Sequence, residues 1–89
     1  MKCYVTFGAD HSHQIGGLRV GSGTVCTYQS DHGEAVARAI FGRDYCSWRP
    51  AELFDHTMIQ RWGLEVVEIP AAIVSAAEEV RGRGYVSQR

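Results

Sequence analysis

Eighty-nine residues, 45% hydrophobic and 21% charged with a formal net charge of −1, describe a single folded domain and exclude both a disordered tail and a general nucleic-acid binder. No apolar run reaches the ~18 residues of a membrane span, and the opening MKCYVTFGAD has no signal-peptide core, so a cytoplasmic location is expected. The three cysteines, Cys3, Cys26 and Cys46, form no C-x-x-C pair, and an odd count without a secretion signal argues against a disulfide framework.

KCYVTF alternates, with Cys3, Val5 and Phe7 on one face and Lys2, Tyr4 and Thr6 on the other, which predicts a half-buried strand. Gly8 ends it. ADHSHQIGG then reads as a loop in which Gly16-Gly17 can form a tight turn, and LRVGSG is open between a short strand and one arm of a hairpin. TVCTYQ, rich in β-branched and aromatic residues, predicts the second strand. On their strands Cys3 and Cys26 read as small core residues.

Asp31 and Glu34 in SDHGEAVARAIFG have the spacing of a capping box. Val36, Ala39 and Ile40 recur at helical spacing, and Gly42 supplies a left-handed stop. DYCSW predicts a short extended segment, and Pro50 opens PAELFDHTMIQRWG at the first position of one helix or of two short turns, ended by Gly63. LEVVEI predicts the third clear strand. Beyond Pro70, Ile73, Ala76, Ala77 and Val80 form a helical stripe, with Arg81 and Arg83 at the end where the helix dipole favours cations. The order predicts an α+β fold, a small antiparallel or mixed β-sheet with two to three helices packed on one face. Residues 1–69 form the core domain, and 70–89 a C-terminal helix and basic tail packed on it or extending from it. A core this small is marginal alone, and a homodimer or higher homo-oligomer is expected.

His11-x-His13 is the most conspicuous chemical pattern. Two imidazoles on an extended segment would point the same way at a separation that can chelate a transition metal, but a catalytic zinc site needs a third ligand. His32, Asp31, His56 and Asp55 supply side chains of the right type without a spacing that singles one out, so no metal, cofactor or catalytic residue is assigned. Ser12 and Thr57 directly follow His11 and His56, which is not the H-x-T/S spacing of a two-histidine phosphoesterase, and there is no P-loop or dinucleotide fingerprint. The pattern therefore reads as a binding lip rather than an enzyme, with Gly8, His11, His13, Trp48 and Arg49 as ligand-binding candidates. Gly8 admits close backbone approach, histidines donate to oxyanions, and an aromatic beside an arginine can stack on a base while holding a phosphate. Against this stand the plain end of a strand for YVTFGADHSH and core packing for Trp48 and Trp62.

The stretches YVTFGADHSHQIGG and FGRDYCSWRPAELFDHTMIQRWGLEVVEI resemble a group of small bacteriophage and prophage proteins. Tyr4, Thr6, Phe7, Gly8, His11 and His13 match the group's Y-x-T-F-G-x-x-H-x-H opening, Phe41-Gly42 its helix end and Gly63-Leu64 its last strand, over about residues 2 to 69. Tyr45-Cys46 stand where the group often has tryptophan, here delayed to Trp48, and the helical tail from Pro70 is an addition. The resemblance implies a phage accessory protein, in the host cytoplasm, that blunts host defence without catalysis by sequestering a nucleotide-derived signalling molecule. The alternatives are an inhibitor that binds a host defence protein directly, and a small hydrolase centred on His11 and His13.

Overall fold

The computed structural model describes residues 1–87, with side chains as far as Glu79. Six strands and three α-helices follow in the order β1 (Lys2–Thr6), β2 (Ser12–Ile15), β3 (Leu18–Gly21), β4 (Thr24–Gln29), α1 (Glu34–Phe41), β5 (Ser47–Pro50), a 3-10 turn (Ala51–Leu53), α2 (Thr57–Arg61), β6 (Glu65–Glu68) and α3 (Ala71–Ser87). Four strands form a mixed sheet in the order β5-β1-β4-β6, antiparallel except for the parallel β4–β6 pair, and β2 and β3 form a separate antiparallel ribbon. The fold is α+β.

Alternation along β1 assigns the faces. Cys3 and Val5, both fully buried, join Cys26 and Tyr28 of β4 in a core closed by Val36, Ala37 and Phe41 of α1 and by Val74 and Ala77 of α3. Ile15 and Val20 of the β2–β3 ribbon enter the same cluster, so the ribbon packs on the helical layer instead of extending the sheet. On the opposite face Tyr4 stacks on Phe54 at 4.5 Å between ring centroids, and His56 meets both rings edge-on. Two helices, α1 and α3, thus cover one face, and the segment around Phe54 covers part of the other.

Several local expectations are corrected. The segment from Ser12 to Ile15 is a strand, not a loop, because it pairs with LRVG across a two-residue turn. Asp31 does not cap α1. Gly33 stands at that position with φ 56° and no side chain bonds there, while Ser30 Oγ accepts the His32 amide at 3.0 Å and donates to Glu78 Oε2 at 2.6 Å. Ser30 therefore takes the turn-forming role and ties the end of β4 to α3. Pro50 lies at the end of β5, opposite Cys3, and the expected helix breaks into the 3-10 turn and α2. Among the described side chains of α3, Val74 and Ala77 are buried, Ile73 and Glu78 are half-buried, and Ala76 is exposed. The side chains of Val80, Arg81 and Arg83 lie outside the described residues. Among the described residues no helix is long and apolar enough to cross a membrane.

A buried polar junction locks β4, α1 and β5 together. Tyr28 Oη donates to the Gly33 carbonyl at 2.8 Å and accepts from Trp48 Nε1 at 3.0 Å. Gly33 must lack a side chain here, because its positive φ disfavours one and a Cβ would lie 3.3 Å from the Trp48 ring. Next to Tyr28, the Thr27 hydroxyl is buried on the other face with no hydrogen-bond partner among the described residues. Neighbouring substitutions should therefore act with opposite sign. Tyr28→Phe is expected to cost about 1–3 kcal/mol, because it strands a buried indole N–H and a carbonyl. Thr27→Val should gain about 1 kcal/mol by removing an unpaired hydroxyl. Urea denaturation of the two variants measures both.

Burial also sets the alkaline limit. It pushes the Cys26 thiol from 9.0 up to about 12 and raises Cys3 and Tyr28 as well. A folded pKa above the unfolded one gives stability that is complete below the unfolded value and lost as pH rises toward the folded one. The urea midpoint should hold between neutrality and the unfolded cysteine value of 9.0, then fall through the interval up to about 12. A midpoint that held across that interval would contradict the burial of these groups.

Candidate binding site

The segment after β1 is shaped by a reciprocal clasp. The His11 amide donates to the Gly8 carbonyl at 3.1 Å, and the Gly8 amide donates to His11 Nδ1 at 2.7 Å. With Nδ1 accepting, the neutral ring carries its proton on Nε2, which remains as a donor. A Cβ on Gly8 would lie 3.3 Å from Nδ1. The group that approaches the Gly8 backbone is thus the His11 ring of the same chain.

The β2–β3 ribbon rises from this point. Gly16 and Gly17, at φ 49° and 89°, make its two-residue turn, in the doubly positive conformation that suits the twist of a hairpin. At its open end Ser12 pairs with Gly21, and the Ser22 amide donates to the His11 carbonyl at 3.3 Å. A Cβ on Gly21 would come within 2.5 Å of that carbonyl oxygen, so only glycine fits. Thr24 Oγ1 closes the next turn, accepting from the Gly21 amide at 2.9 Å and donating to its carbonyl at 2.6 Å.

These contacts enclose an open depression of about 320 Å³ lined by His11, Ser12, Arg19, Ser22 and Thr24 among others. Arg19 is exposed, and among the described residues no ion pair engages it. The depression therefore offers a guanidinium, an imidazole N–H and two serine hydroxyls, all able to donate to an oxyanion.

The other candidate residues lie elsewhere. His13, in β2, faces the helical layer, with its ring edge-on to Phe41 and Nδ1 3.6 Å from Asp44, and lines a different and more apolar depression with Ile40 and Ile73. The two histidines do not converge. Among the described residues no group of three or more His, Cys, Asp or Glu side chains is placed to hold a metal ion. Trp48 sits opposite Val5 in β5 and bonds Tyr28, which makes it a packing residue. Arg49 points to the opposite face, exposed, with Nη1 on the Trp48 carbonyl at 2.8 Å. Adjacent residues of one strand cannot serve one ligand on one face. Ser12, Arg19, Ser22 and Thr24 are the residues that sequence reasoning missed; for Arg19 the signal was the alternation of LRV, which puts it on the face opposite Leu18 and Val20.

Comparison with protein-family models, with curated proteins and with solved structures gave no match.

Two expectations follow from this geometry. Gly21→Ala should cost about 1–3 kcal/mol through its collision with the His11 backbone. It should also shift the His11 imidazole resonances, whereas an unshifted ring would contradict the described contact. Cys46 is exposed while Cys3 and Cys26 are buried, so a thiol reagent should titrate Cys46 at once and the other two only after denaturant is added.

Proposed function

We propose that this chain is a non-catalytic binder of a small phosphorylated ligand. In keeping with its resemblance to phage and prophage accessory proteins, it sequesters a nucleotide-derived signalling molecule of host defence in the host cytoplasm. One observation supports the reading above the others: Arg19, unengaged by any carboxylate among the described residues, shares a concave surface with the His11 imidazole and two serine hydroxyls. A phosphate has three oxygens and most of two charges to place, and such a donor set meets both requirements. Sequestration needs a preformed pocket and slow release rather than chemistry. The hairpin and its backbone contacts supply the preformed shape. Assembly as a homodimer belongs to the same proposal.

A second reading, an inhibitor docked on a host defence protein, draws support from the exposed side chains of Leu53, Trp62 and Val66, at 70%, 68% and 47% exposure. Titration with inorganic phosphate, followed by amide and side-chain resonances, separates the two. Phosphate should shift the signals of Ser12, Arg19 and Ser22, and Arg19→Ala or His11→Ala should each weaken binding about tenfold or more. Failure of millimolar phosphate to move any of these signals would sink the first reading.

A further inference from the structure

The phosphate depression does not stand alone. Ser22 and Thr24 also line a second depression, of about 300 Å³, whose remaining wall includes Phe7, Met58, Trp62 and Leu64. The turn between β3 and β4 is thus a ridge, with the Arg19 and His11 donors on one side and Thr6, Phe7, Met58, Trp62 and Leu64 on the other. Trp62 is fixed at the end of α2, where its amide donates to the Met58 carbonyl at 2.9 Å. Gly63, at φ 63°, then reverses the chain into β6. A tryptophan held by its backbone yet 68% exposed presents an indole surface that no side chain among the described residues covers fully.

We infer that the two depressions are the halves of one nucleotide site. The phosphate lies against Arg19, the His11 imidazole and Ser22, and the base stacks on Trp62 in the neighbouring depression. The sugar crosses the Ser22–Thr24 ridge. This rests on the phosphate-binding reading above and deepens it by naming the ligand class, a nucleoside monophosphate unit. Three observations select that class. The donor side is cationic, the other side carries an exposed aromatic plane, and the two share a wall, as a ligand with an anion and a flat ring joined by a short spacer requires. Each depression is of the size of small-ligand pockets, which start at ~300 Å³. The ridge is held in shape from within, because the Thr24 hydroxyl is spent on Gly21 and Ser22 is tethered by its amide to His11. The Ser22 hydroxyl is left to face the ligand.

The test is a resonance titration of the full chain with adenosine monophosphate, guanosine monophosphate, ribose 5-phosphate and inorganic phosphate. The Trp48 indole, bonded to Tyr28, serves as the unresponsive control. The nucleotides should bind about tenfold or more tightly than ribose 5-phosphate and should shift the Trp62 indole together with Ser22. Trp62→Ala should bring nucleotide affinity down to that of ribose 5-phosphate and leave the latter unchanged, while Trp62→Phe should retain most of the difference. Equal affinity for nucleotide and ribose 5-phosphate, with the Trp62 indole unmoved, would overturn the two-part site and leave the phosphate reading standing. Absence of binding by every phosphate compound would overturn both.

Discussion

β1 is hydrogen-bonded along both edges, covered on one face and partly covered on the other, and that demand arranges the rest of the molecule. Its antiparallel partners β4 and β5 occupy the two edges, Cys3 and Val5 are sealed under the helices, and Tyr4 lies under Phe54. Since β4 is itself occupied on its far side by β6, the ribbon of β2 and β3 has no open place beside either central strand. It packs through Ile15 and Val20 against the helical layer instead. The polar side of the ribbon, with Ser12 and Arg19, is left exposed at the end of the sheet where β1 finishes and β4 begins.

The depression there takes its shape from contacts that the backbone makes with itself and with the His11 and Thr24 side chains. Gly8 and His11 hold each other, Gly21 rests against the His11 carbonyl, and Thr24 grips Gly21 from both sides. For the ligand proposed above this frame would need little reordering, and the exposed Arg19 side chain would be the main group to become ordered. Beyond these contacts, Arg19, Ser12 and Ser22 are exposed and carry the charge and hydroxyl groups. Glycines and threonine thus serve the shape, arginine and serine supply the donor groups, and His11 does both.

Legibility in the sequence follows local redundancy. KCYVTF, TVCTYQ and EAVARAIF announce themselves because alternation or helical recurrence persists over several residues, and all three are elements of the structure. SHQI is a strand only because LRVG lies opposite, a condition that no single stretch of sequence contains. Asp31 and Glu34 have the spacing of a cap, but Ser30 one residue earlier captures the turn first. At the site His11 stands out in the sequence, whereas Arg19 becomes its neighbour through hairpin register alone. Trp48 and Arg49 looked like a pair for the opposite reason: adjacency suggests partnership, and strand geometry sends neighbours to opposite faces.

The parallel pairing of β6 with β4 has a consequence for how the molecule opens. Between those strands the chain makes α1, crosses to the far edge as β5, and returns through α2. β6 is therefore joined to the sheet by one ladder, and α3 follows it through Pro70. If this pair peels away, Ile69, Val74 and Ala77 are uncovered, but the antiparallel strands β5, β1 and β4 keep their mutual pairing. Long-range pairing of this kind forms late and, where little else secures it, can release early. Amide exchange across the sheet would then be graded, slowest in β1 and fastest in β6, with the wall nearest Trp62 and Leu64 exchanging ahead of the wall that holds Arg19.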